Sequence, residues 1–170
     1  MRLVAFFAVA ALALGAFVLL TRGSSSSTAV VARVIDGDTI ELLGGQRVRL
    51  VQIDTPEKNE ECYGDAASAI TGRLLPPGTR VRIERDPGLD QVDRYQRQLA
   101  YVWKGKVDVN VTLVREGAAG VWFYGGRRGR HASELLQATE QARAERKGLW
   151  AACPLARFDP LDSMSSGPAT

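Results

Sequence analysis

The chain has 170 residues and a mass of 18.4 kDa, 45% of them apolar and 24% charged, a balance that excludes collagen, coiled coil and wholesale disorder. Twenty-two Lys and Arg against nineteen Asp and Glu give a net charge of +3, which admits a polyanionic partner without the excess of a histone-like protein. Eighteen of the basic residues are Arg and four are Lys, a bias towards the side chain that grips phosphate with paired N–H groups, and one that a GC-rich genome would produce equally.

Met1-Arg2 leads into Leu3 to Leu20, an uncharged apolar run, and then into Thr21-Arg22-Gly23 and the polar stretch Ser24 to Thr28. Residues 1–29 therefore read as a signal peptide or signal anchor followed by a Ser-rich linker, which makes the folded part exported, either secreted or held on the outer face of the cytoplasmic membrane. Residues 3–20 are the only membrane contact expected, and only if they are retained. The remaining length suits one domain, 30–158, with 159–170 as a flexible tail. Cys62 and Cys153 are the only cysteines. An even count in an exported chain predicts a disulfide, whereas zinc would lack ligands because His131 is the lone histidine. Closing so long a loop stabilises by about 4–5 kcal/mol in the chain-entropy model.

Val30–Val34, Thr39–Leu43 and Gln46–Ile53 are short β-rich runs, with Gly44-Gly45 as a two-residue hairpin signal. Arg80–Glu84 alternates charged and apolar residues, and Leu99–Trp103 and Lys106–Val109 flank Lys104-Gly105 as a second hairpin. Three helices are predicted. Ala66–Leu75 stops at Pro76-Pro77-Gly78, Val111–Glu116 follows Asn110 as N-cap, and Ser133–Lys147 ends at Gly148. Short strands with helices plugging and flanking them predict a mainly β, α+β fold, a small barrel of the oligonucleotide-binding (OB) kind.

Three polar clusters interrupt this pattern. Asp36-Gly37-Asp38-Thr39 sets two carboxylates at a glycine bend, where they can face a hard cation or simply cap a strand. The spacing is not that of an EF-hand. Arg49-Leu50-Val51-Gln52-Ile53-Asp54-Thr55-Pro56-Glu57 brings one cation and two acids to a strand end. Arg94-Tyr95-Gln96-Arg97 adds cationic donors and a ring suited to a phosphodiester with a base stacked nearby. His131, amid Arg127, Arg128 and Arg130, reads as a solvated helix start.

These clusters, in order, resemble the signature segments of the staphylococcal nuclease (thermonuclease) family. Cys62-Tyr63-Gly64-Asp65-Ala66-Ala67-Ser68-Ala69, Leu113-Val114-Arg115-Glu116-Gly117 and Arg146-Lys147-Gly148-Leu149-Trp150 extend the likeness, which spans about Val30 to Cys153. The resemblance implies a five-stranded barrel with three helices and a calcium-dependent nuclease that cleaves DNA and RNA with little base specificity and leaves 3′-phosphate ends. It assigns Asp38, Asp54 and the main-chain carbonyl of Thr55 to calcium, with Asp36 in support. Arg49 and Arg97 match the phosphate-binding arginines and Glu57 the acid that activates or orients water. Tyr95 matches a tyrosine near the nucleotide, and one aromatic of Trp122-Phe123-Tyr124, here Tyr124, another. Arg94 joins them as a substrate contact. Stacking on exposed bases favours single-stranded or breathing substrate, bound by a monomer. The alternative is an exported OB-fold module that binds nucleic acid without cleaving it. Gln96 and Gln98 stand where that family's enzyme has glycines, and Glu60 and Glu61 put negative charge in a shortened loop.

Overall fold

The computed structural model describes residues 26–169. The apolar run 3–20 lies outside the described residues, and among these no helix is long and apolar enough to cross a membrane.

The alternating runs become strands β1 (Ser26–Val34), β2 (Thr39–Leu42), β3 (Arg47–Leu50), β5 (Arg80–Glu84) and β6 (Gln98–Lys104), with short pieces β4 (Ile53–Asp54), β7 (Val107–Asp108) and β8 (Gly120–Val121) between and after them. Their order is β3-β2-β1-β5-β6-β7, and an additional β3–β6 pairing closes the first five into a barrel. That closing pair is parallel, matching Arg49 with Leu99, whereas the other pairings are antiparallel. Strand alternation drives one side chain in two inward, so Val31, Ile40, Val48, Leu50, Val81 and Ile83 are almost wholly buried. Closing the sheet leaves few exposed edges.

Three helices accompany the barrel: α1 (Gly64–Leu74), α2 (Val109–Arg115) and α3 (Ala132–Ala144), with a single turn, α4 (Leu149–Ala152), after them. Helix α2 contributes Val109, Val111, Leu113 and Val114 to the core. Its cap is Asp108, whose carboxylate accepts from the Val111 amide, and not the expected Asn110. Asn110 is fully buried instead, where it accepts from the Val102 amide and donates to the Val51 carbonyl, tying the helix to the barrel wall. The two glycine-bearing segments at Gly117 and Gly148 meet backbone to backbone, with the Leu149 amide donating to the Gly117 carbonyl at 2.9 Å. A Cβ on Gly117 would lie 2.2 Å from the Lys147 carbonyl oxygen.

Four expectations need correction. Residues 26–29 are not linker, because Ser26 to Val30 pair with β5 through main-chain bonds that are indifferent to side-chain hydrophobicity. The run Gln46–Ile53 is two strands, since Gln52 takes φ 63° and turns the chain between them. Residues 159–169 are not a frayed tail: the Phe123 amide donates to the Pro160 carbonyl, and the Ala169 amide to that of Glu60. His131 is not solvated, because its ring packs edge-on against Tyr101 and Trp103 and sits 3.6 Å from Glu84. The expected disulfide joins Cys62 to Cys153.

Gly117→Ala meets both a left-handed backbone, φ 68°, and a main-chain carbonyl. We expect it to cost about 2–3 kcal/mol in chemical denaturation while leaving the cleft residues in place.

Candidate active site

Strand register assembles the site. β2 and β3 pair Thr39 with Arg49, and β3 and β6 pair Arg49 with Leu99, so Asp38 before β2, Arg49 within β3 and Arg97 before β6 come to one side of the barrel. β4 pairs Asp54 with Gly120 of β8, which sets the chain leaving β8, with Trp122 and Tyr124, along the same opening. The resulting cavity has a volume of about 620 Å³. Asp36, Asp38, Arg49, Asp54, Thr55, Glu57, Arg94, Tyr95, Arg97 and Tyr124 all line it. All ten proposed cleft residues thus converge, while the half-cystines stand apart.

The centre is Arg49, 8% exposed. Its guanidinium lies 3.0 Å from Asp38 and 2.5 Å from Asp54, and Nη1 donates to the carbonyls of Leu50 and Ile53. This one side chain therefore pairs two acids and closes the turn between β3 and β4. Asp38 is further fixed by the amide and hydroxyl of Thr55, both at 3.1 Å, and by the Thr39 hydroxyl at 3.0 Å. The bend before it requires Gly37, where a Cβ would fall 2.6 Å from the Thr55 hydroxyl. Helix α1 latches that bend, since the buried Thr71 hydroxyl donates to the Gly37 carbonyl. Asp36 accepts from the Asp38 amide.

Arg97 is held from the other side. Asp93 accepts from its Nε at 2.7 Å and from its amide at 2.9 Å, and Arg97 Nη1 donates to Thr39, which links it to Asp38. Gln96 takes φ 62° between them, whereas Gln98 opens β6. The left-handed backbone that suits glycine is thus kept at one of the two glutamines. Tyr95 is exposed, with Arg94 and Arg97 over its ring at 4.7 and 5.2 Å. Trp122 and Tyr124 meet edge to face at 5.6 Å as a second aromatic wall, and Phe123 between them points into the core.

Three supporting residues escape sequence reasoning: Thr39, Asp93 and Gln52. Gln52 accepts from Tyr101 and the Gly129 amide and donates to the Arg127 carbonyl, while its own carbonyl receives the Trp122 amide. It joins the aromatic wall to the barrel, yet a lone Gln carries no motif.

Negative charge is in excess at this site. Burial raises the pKa of Asp36, with the Asp38 charge adding to it. Burial likewise raises Glu57, followed by Asp38, Asp36 and its neighbours Glu61 and Glu60. Asp54 is pushed up to about 6 by burial and by Asp38 and Glu57, against the opposing pull of Arg49 and the Met164 amide. Burial disfavours the charge on Arg49, but the surrounding acids outweigh it and raise its pKa. At Asp93 burial is outweighed by the bonds from Arg97 and Tyr95, which hold that carboxyl below its ordinary value.

Among the described residues no group of three or more His, Cys, Asp and Glu is arranged to hold a metal ion. The cavity is nevertheless lined by the carboxylates of Asp36, Asp38 and Asp54 and by Thr55. Their donors are all hard oxygen, and four acids face one buried guanidinium, so the residues fit a hard divalent cation.

A cleft that gathers four guanidinium groups and six carboxylates about one cavity on a small closed barrel has the chemistry of a phosphodiester-handling enzyme. The chain belongs to the staphylococcal nuclease family: the family described as "Staphylococcal nuclease homologue" matches residues 47–152. It is similar to a thermonuclease of Staphylococcus hyicus, with 38% identity over 75% of this chain and 78% of that one, and to a thermonuclease of Staphylococcus intermedius, with 40% identity over 71% and 74%. An uncharacterized endonuclease of Haemophilus influenzae is 36% identical over 74% of this chain and 67% of its own. The chain is accordingly a hydrolase of the nuclease class, and its substrate is nucleic acid.

Two measurements check this electrostatic and conformational account. Between about pH 4 and pH 6 the folded chain binds a proton at Asp54 that the unfolded chain has released. The Asp54 contribution to metal-free stability should therefore fall as pH rises through that window, and the fall should disappear in Asp54→Asn. Gln96→Gly relieves a left-handed backbone at the cost of chain entropy and should raise stability by about 0.5 kcal/mol in thermal melts.

Proposed function

We propose that the chain is a calcium-dependent, sugar-nonspecific nuclease that hydrolyses phosphodiester bonds of DNA and RNA and leaves 3′-phosphate ends. The observation that carries this reading is Arg49 clamped between Asp38 and Asp54 in the cavity that Arg97 and Glu57 also line.

Asp38, Asp54 and the main-chain carbonyl of Thr55 would hold the cation, with Asp36 steadying Asp38 through its amide. Bound there, calcium would supply positive charge that stabilises negative charge on the phosphoryl oxygens. Arg49 has five N–H groups, of which three donate to Leu50, Ile53 and Asp54. Nε–H and one Nη2–H are left for a phosphate oxygen. Arg97 offers its outer nitrogen to the same cavity. Both guanidinium groups are held by protein carboxylates before substrate arrives, so they reorganise little as charge develops, which is the condition under which such donors accelerate a reaction. Glu57 has its pKa raised by burial and nearby acids, which suits it to take a proton from water or to orient it. Tyr95, Arg94 and Tyr124 would bind the flanking nucleotide, since exposed rings and guanidinium planes stack on unpaired bases.

In this reading the N-terminal segment 1–29 directs export, and the nuclease domain works as a monomer, secreted or held by residues 3–20.

Release of acid-soluble nucleotides from single-stranded DNA and from RNA, with calcium and with chelator, tests the proposal. Chelator, Glu57→Gln and Arg97→Ala should each lower turnover by about 100- to 1,000-fold, with Arg97→Ala still folded. Arg49→Lys keeps the charge and loses the fork, so it should lose activity with less damage to stability than Arg49→Ala, which strands two buried acids. Undiminished cleavage in chelator would overturn the calcium reading.

A further inference from the structure

The family match ends at residue 152, yet the chain beyond it reaches into the cleft. Cys153 is bonded to Cys62, and the segment 154–169 leaves that bond, runs past Phe123 and the β4–β8 pair and returns to the same place: the Cys62 amide donates to the Gly167 carbonyl at 2.8 Å, and the Ala169 amide to that of Glu60 at 3.0 Å. Ser166, 1% exposed, donates its hydroxyl to the Cys62 carbonyl. A strap is thus pinned at both ends to the loop that follows Glu57.

Its middle touches the active centre. The Met164 amide donates to Asp54 Oδ2 at 2.8 Å while Arg49 holds Oδ1. The Met164 side chain rests on Gly120, where its methyl lies 2.1 Å from the position a Cβ would occupy, and Gly120 is the β-partner of Asp54. Ser163 lines the cavity. An amide fixed in this way sets the rotation of a carboxylate that Arg49 alone would leave free to pivot about one oxygen.

We infer that the strap 154–169 is a positioning element of this nuclease, whose Met164 N–H orients the Asp54 carboxylate for a divalent cation. The inference rests on the reading of Asp54 as a cation ligand. Partners that orient a ligand in this way typically govern metal affinity by 10- to 100-fold. The rest of the strap supplies rigidity: it docks on Gly120 and closes on Cys62, so the amide cannot drift with the chain end.

The test is calcium binding by the full chain, read by titration calorimetry, alongside kcat and KM on single-stranded DNA. Met164→Pro removes the N–H together with the thioether side chain and fixes φ; Met164→Leu keeps the N–H and the apolar contact. We expect Met164→Pro to weaken calcium binding by 10- to 100-fold and to lower kcat at saturating calcium with KM within twofold, and Met164→Leu to match the parent. Asp54→Asn separates the two levels. If it binds calcium as the parent does, the reading of Asp54 fails and the positioning role with it. If Asp54→Asn abolishes binding but Met164→Pro does not weaken it, only the positioning role is overturned. Tighter binding or faster turnover in Met164→Pro overturns it too, because the strap then inhibits. Should Met164→Pro show no cooperative melt, Ser166→Ala loosens the strap without touching its backbone. A several-fold loss of affinity there supports the inference, and parent-like affinity overturns it.

Discussion

A guanidinium buried between two carboxylates organises this protein. Arg49 spans Asp38 and Asp54 and accounts for two carbonyls of the turn that separates β3 from β4. Each of those groups would be costly to bury alone. Together they form a set in which the cation satisfies the turn and the acids satisfy the cation. The remaining cleft residues are arranged about this core: Thr55 and Thr39 on Asp38, Arg97 on Thr39, Asp93 on Arg97. The site is a chain of mutually restrained charges rather than a list of exposed side chains, and its surplus of acid is what a divalent cation would neutralise.

The barrel was legible because its strands obey simple rules. Period-two alternation in Arg80–Glu84, the Gly44-Gly45 hairpin and the Pro76-Pro77 stop are local signals, and the structure follows them, although residues 43–46 rather than two residues join β2 to β3. The cleft residues were legible through the ordered family segments, and their spacing along neighbouring strands explains why those segments meet. What escaped depends on distant partners. Ser26 to Ala29 look like linker because strand pairing there uses only main-chain groups. Asp108 and Asn110 are both good caps, and only the buried carbonyl of Val51 and amide of Val102 decide between them.

Gln52 and Gln96 show the same limit in the backbone. Both adopt left-handed conformations without glycine, and neither is flagged by its letter. Gln52 is held by four bonds to residues between 49 and 77 positions away, so its strain is repaid by contacts that no local window contains. The strap is the extreme case. Its bonds to Asp54, Glu60, Cys62 and Phe123 are almost all made through main-chain atoms, and a segment with three Pro, three Ser and no regular apolar period resembles any loose end. Two cysteines pointed only to its anchor.

The barrel seam has a consequence for timing. β3 and β6 carry the two arginine-bearing edges, and they meet in parallel across about fifty residues of chain, the kind of non-local pairing that forms late in folding. Until that seam shuts, Arg49 and Arg97 belong to unconnected parts of a polymer, and no cleft exists. Hydrolytic competence and completion of the barrel are therefore one event.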